Sequence, residues 1–68
     1  MKLKFNFVQG GSQTINNYEE MNYVGGTQGL LNTIKNAKNL NEEFALTSSK
    51  GEIIKFKGND LFSIEFIL

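Results

Sequence analysis

The chain is expected to be an α+β domain in which one helix packs on an antiparallel sheet, in the order β-β-α-β-β-β. Three observations carry that expectation. Residues 2 to 8 alternate, with Leu3, Phe5 and Phe7 on one side and Lys2, Lys4 and Asn6 on the other. From Thr27 to Asn39 the apolar period lengthens to that of a helix. The last third is a series of short apolar runs separated by Ser-Ser-Lys-Gly and Lys-Gly-Asn-Asp, both turn sequences.

Taken in order, the first alternating run is a half-buried strand, because successive side chains of a strand point to opposite faces. Gly10-Gly11 supplies the positive φ of a hairpin turn, and Ser12 to Tyr18 returns as a mostly polar strand. Residues 19 to 29 give no regular period, and three glycines in Gly25-Gly26-Thr27-Gln28-Gly29 weaken any element there. Leu30, Leu31, Ile34, Ala37 and Leu40 form the apolar stripe of the helix, with Lys35, Asn36, Lys38 and Asn39 facing water. Thr27 is the expected N-cap, and Asn39 or Asn41 the expected left-handed end. The remaining strands, Phe44 to Thr47, Glu52 to Phe56 and Leu61 to Leu68, read as a three-strand meander. In the last, Phe62, Ile64, Phe66 and Leu68 share one face while Leu61 and Ile67 add apolar surface to the other. A strand apolar on both faces is either central or covered by another chain, so Leu61, Ile67 and Leu68 are candidate interface residues. Residues 1-68 form one small domain without repeats.

Composition narrows the chemistry. The 68 residues carry seven Lys against seven Asp plus Glu, and no Arg, His, Cys or Pro. Without thiol or imidazole there is no ordinary zinc or haem ligand set, no disulfide and no imidazole acid–base pair. A net charge of zero argues against duplex DNA as a partner, since phosphate contacts need a positive surface. The segment after Met1 alternates and no run is long enough to cross a bilayer, so a cytoplasmic protein with no membrane contact is expected. Glu19-Glu20 and Glu42-Glu43 are neighbours in sequence and diverge in direction, so neither is a shared-proton dyad. Serines lack a histidine to activate them, and Ser49-Lys50 sits in a turn that does not hold attack geometry. The chain is therefore expected to be non-enzymatic, with no cofactor and no metal.

Two binding features remain. Gly25, Gly26, Thr27, Gln28 and Gly29 run into the helix start, where free amides and the helix dipole favour an anion. Tyr18 and Tyr23 lie just before, placed to stack a base, so a phosphorylated nucleotide-type ligand is one reading. The motif is not a P-loop, because the Gly-Lys-Ser/Thr ending is missing, and it lacks the Gly-x-Gly-x-x-Gly spacing of dinucleotide folds. A glycine turn that only redirects the chain is the plainer alternative. Lys50, Lys55 and Lys57, with Lys2 and Lys4, are read as a solvated edge-protecting face, or as a weak single-stranded nucleic-acid stripe. A chain this short lacks the usual staples, which leaves homo-oligomerisation as its means of added stability.

The opening Met-Lys-Leu-Lys-Phe-Asn-Phe, the Leu-Leu-x-x-Ile helix, and the ending Gly-Glu-Ile-Ile-Lys-Phe-Lys-Gly-Asn-Asp-Leu-Phe-Ser-Ile-Glu-Phe-Ile resemble small α+β proteins of phages and mobile elements of low-GC Gram-positive bacteria. The nine Asn residues fit the same AT-rich codon usage. The resemblance implies an accessory protein that inhibits a host defence protein by occluding it, or an oligomer that sequesters a nucleotide signal. It implies no site residue.

Overall fold

The computed structural model describes residues 1–17, 25–48 and 50–68. Among these residues it is an α+β fold with one α-helix and five strands, all paired antiparallel. The elements are β1 (Lys2–Phe7), β2 (Ser12–Asn16), α1 (Gly26–Leu40), β3 (Glu43–Thr47), β4 (Ile53–Lys57), a one-turn 3-10 segment (Gly58–Asp60) and β5 (Leu61–Ile67).

The first hairpin forms where the alternation places it. Its connection is the three-residue loop Val8, Gln9, Gly10: the Gly10 N–H donates to the Phe7 carbonyl (3.0 Å) and the Phe7 N–H to the Gly11 carbonyl (3.2 Å). That loop needs a left-handed third residue, and Gly10 supplies φ 92°. The pairing then sets Leu3 opposite Ile15 and Phe5 opposite Gln13.

The strands do not form one sheet with a C-terminal meander. Among the described residues β3 and β4 pair only with each other, and β5 leaves them to lie beside β1, giving a three-stranded sheet in the order β2-β1-β5. The cause is the 3-10 turn. It carries the chain away from β3, and the Val8 N–H then donates to the Asp60 carbonyl (3.0 Å), starting the β1–β5 ladder. The register shifts between Asn6 and Phe7: Asn6 faces Ser63 while Phe7 faces Leu61, leaving Phe62 as an extra residue. This bulge changes the parity of the strand, so Leu61 turns inward and is only 2% exposed, whereas Phe62 is 69% exposed. Leu61, expected at an interface, is therefore a core residue. Phe62 does not share the buried face with Ile64.

The core lies between the inner faces of the two sheets and is covered by α1. Leu3, Phe5, Ile15 and Leu61 come from the larger sheet, Phe44, Leu46, Ile54 and Phe56 from the smaller, and Leu30, Ile34 and Ala37 from the helix. Its centre is aromatic. Phe44 and Phe56 stack at 5.0 Å between centroids, Phe5 lies 5.5 Å from Phe56, and Phe7 meets Phe56 edge-on at 5.6 Å. Offset and tilted ring pairs of this kind add to the stabilisation from burial alone.

The helix is one residue longer at each end than the expected Thr27 to Asn39, and its caps differ from expectation at one end. Gly25, with φ 81°, is the N-cap in place of Thr27, and no side chain caps the first turn. Asn41 ends the helix left-handed at φ 50°, the conformation Asn tolerates best after Gly. Leu40 falls beyond the stripe and is exposed. The helix C-terminus is fixed to the 3-10 turn through main chain: the Glu42 N–H donates to the Ala37 carbonyl (2.9 Å), the Gly58 N–H to the Glu42 carbonyl (2.9 Å), and the Asn59 N–H to Asn41 Oδ1 (3.1 Å). Lys38 Nζ reaches the Leu61 carbonyl at 2.6 Å. Contact is so close at Gly58 that a Cβ there would lie 1.9 Å from the Ala37 carbonyl oxygen.

The β3–β4 turn is organised by Ser48, a buried polar residue. Its hydroxyl accepts the N–H groups of Lys50 (3.3 Å) and Glu52 (3.0 Å), while its carbonyl accepts that of Gly51 (3.0 Å).

Two stability outcomes follow from these contacts. Gly58→Ala forces helix and turn apart and should cost at least about 3 kcal/mol in urea denaturation, enough to unfold a domain this small. Ser48→Ala removes the acceptor of two amides and should cost about 1–2 kcal/mol in the same assay, with the fold retained by circular dichroism.

Candidate functional site

Two surfaces combine exposed binding groups with a rigid frame: the open edge and faces of β5, and a cleft between the β1–β2 hairpin and β4.

β5 is an edge strand, and no other strand lies along its second edge among the described residues. Alternation along β1 decides which of its main-chain groups are used. Phe7 bonds to Gly11, so the odd residues of β1 serve β2 and the even ones serve β5. Lys2, Lys4 and Asn6 therefore pair with Ile67, Glu65 and Ser63, leaving the N–H and C=O of Ile64 directed to the open side. Side chains around this edge are strongly apolar. Phe62, Phe66, Ile67 and Leu68 are all exposed, Ile67 at 39% on the outer face beside Lys2. Polar contacts on that outer face are slight: Asn6 Nδ2 donates to Ser63 Oγ (3.1 Å), and Lys4 Nζ lies 4.0 Å from Glu65 Oε2. Of the sequence-expected interface residues, Ile67 and Leu68 are on the surface and Leu61 is not. Phe62, expected inside, joins them because of the bulge.

The cleft has a volume of about 460 Å³. Phe7 and Phe56, in edge-on contact, supply its aromatic part. Gln9, Ser12 and Gln13 come from the hairpin side, Lys55 from β4, and Asp60 from the 3-10 turn. Lys55 is ion-paired across the small sheet with Glu43 at 3.3 Å. Asp60, the chain's only Asp, has no ion pair among the described residues. Sequence reasoning missed this cleft, because it gathers residues from four separate segments. Its one faint signal was Gln13, a polar residue at an inward position of β2.

At the glycine-rich helix start, Gly25 and Gly26 are both left-handed, at φ 81° and 63°. Those two residues turn the chain into α1, and the Gly29 N–H is taken by the Gly25 carbonyl (3.1 Å). Gln28 Nε2 bonds Asn32 Oδ1 (3.0 Å) along the helix surface, so its side chain is directed to its own element. Thr27 is exposed. Tyr18 and Tyr23 lie outside the described residues.

The lysines of the expected stripe are divided. Lys2 and Lys4 belong to the three-stranded sheet, Lys55 and Lys57 to the two-stranded one. Among the described residues no three His, Cys, Asp or Glu side chains gather to hold a metal, and no described helix is long and apolar enough to cross a membrane. Comparison with protein-family models, with curated proteins and with solved structures gives no match.

Lys38 links the helix to the first residue of β5, so Lys38→Met should lower stability by about 1 kcal/mol while Lys35→Met, on the exposed helix face, changes it by no more than a few tenths. Thermal denaturation of the two variants side by side checks the difference.

Proposed function

We propose that this protein is a non-enzymatic binding protein that self-associates through β5 and acts as an accessory inhibitor, occluding a host protein in the manner its phage-like sequence layout implies. The observation that carries the reading is β5 itself, an edge strand with Phe62, Phe66, Ile67 and Leu68 exposed around it. Exposed apolar edges are hazards that monomeric proteins blunt with charge, proline or a covering element. Here the strand carries one charge, Glu65, and no proline.

A second copy suits this edge. An antiparallel pair centred on Ile64 sets Phe62 opposite the second copy's Phe66 and Ser63 opposite its Glu65, so aromatic residues meet and no like charges oppose each other. Such a pair joins the two three-stranded sheets into one of six strands. It also supplies the additional apolar burial that a chain of this size gains from a partner subunit. The absence of His and Cys from the sequence supports a role in binding and not in catalysis.

Light scattering on a sizing column should show a dimer or larger oligomer, and Phe62→Lys with Ile67→Lys should shift it to monomer with an unchanged circular dichroism spectrum. A wild-type monomer at every concentration overturns the self-association. For the inhibitory role, native mass spectrometry of freshly purified protein should show the oligomer without added small-molecule mass. Retained mass of nucleotide size would assign the sequestering role to Gly25–Gly29 instead.

A further inference from the structure

Ladder parity shows what the cleft offers besides side chains. In the β3–β4 pair the Ser48 N–H donates to the Glu52 carbonyl (2.8 Å) and the Gly58 N–H to the Glu42 carbonyl (2.9 Å), so the even residues of β4 are the ones bonded to β3. Ile53, Lys55 and Lys57 therefore direct their N–H and C=O groups away from β3, to the edge of β4 along which no strand lies among the described residues. On β2 the same reasoning applies. Gly11, Gln13 and Ile15 serve β1, and Ser12, Thr14 and Asn16 turn their main chain to the open edge. Lys55 and Ser12 both line the cleft. Two open main-chain edges thus border one cavity whose apolar part is Phe7 and Phe56.

We infer that this cleft binds an extended peptide segment of a partner protein, which adds as a strand to the open edge of β4 and carries an apolar residue two positions before a Lys or Arg. Main-chain bonding to Lys55 supplies the strand pairing, as in other cases where a peptide completes a sheet. Alternate side chains of an extended peptide point to opposite faces, so every second one is directed to the Phe7–Phe56 surface. Gln9, Ser12 and Gln13 form the facing wall, with hydrogen-bonding groups that serve either donors or acceptors. The charge preference comes from pairing. Lys55 is neutralised by Glu43, and the carboxylate of Asp60 is the charge left among the lining residues. An acidic peptide or a phosphate group is disfavoured by that carboxylate, and a basic side chain is favoured. This site is separate from β5 self-association: it uses β4 and the β1–β2 hairpin, and it is intact in a monomer.

The test titrates ¹⁵N-labelled full-length protein with a pool of acetylated, amidated pentapeptides, Thr-x-Thr-Lys-Thr with x each of Leu, Ile, Val, Phe and Tyr. Two control pools replace Lys by Glu or N-methylate alternate peptide nitrogens. Saturable amide shifts are expected at Gln9, Ser12, Gln13, Lys55 and Asp60, with binding weakened about tenfold or more by N-methylation, which removes the strand's donors. Asp60→Asn, confirmed folded by its spectrum, should weaken the Lys pool about threefold to tenfold and remove most of its advantage over the Glu pool. Absence of saturable shifts at these residues, equal binding of the N-methylated pool, or equal binding of Lys and Glu pools to the wild-type chain each overturns the proposal.

Discussion

Everything in this fold is positioned by one contact, the seating of the helix C-terminus on the main chain of Gly58. A hydrogen atom occupies the place where any side chain would strike the Ala37 carbonyl. Around it, three hydrogen bonds tie residues 38 to 42 of the helix end to Gly58, Asn59 and Leu61. That junction settles three matters together. It holds α1 over the core, it ends β4, and it fixes where β5 begins. With β5 started at Leu61, the bulge at Phe62 follows from the β1 ladder, and so does the division between buried and exposed apolar residues.

The two candidate surfaces are consequences of the same junction. Because the 3-10 turn carries the chain from the small sheet to the large one, β4 keeps one edge without a strand among the described residues, and β5 acquires an edge of its own. A meander would have hidden both. The split into two sheets creates more unpaired main chain than a single five-stranded sheet has, and a small protein carries that liability only where the edges are covered or used.

Much of this was legible in the sequence where the signal is local. The alternation of Leu3, Phe5 and Phe7, the stripe of Leu30, Ile34 and Ala37, and the turn chemistry of Gly10 and Asn41 each depend on neighbours within a few residues. Thr27 misled because the chain adopts a glycine N-cap two residues earlier, and Gly25 reaches φ 81° at little cost. The partner of β5 was not legible. Hairpin adjacency favours β4, and the choice of β1 rests on the close approach at Gly58, which joins residues some twenty positions apart. Leu61 and Phe62 exchanged their expected environments for the same reason, since a single bulged residue reverses the parity that alternation relies on. The cleft escaped notice because no window of sequence contains it.

Strand β1 sits at the centre of the larger sheet, and its two neighbours differ in how far along the chain they lie. β2 follows after a three-residue loop, whereas the Lys2–Ile67 pairing spans nearly the whole polypeptide. Closing so long a loop is entropically slow, and the short hairpins have no such delay. The order of assembly is therefore written into the topology: hairpins and helix form early, and the aromatic centre stays open on one side until β5 arrives to close it. Phe5 and Phe7 spend that interval without their last neighbour, so the lifetime of the half-built sheet, more than the depth of the final energy well, governs how readily nascent chains stick to one another.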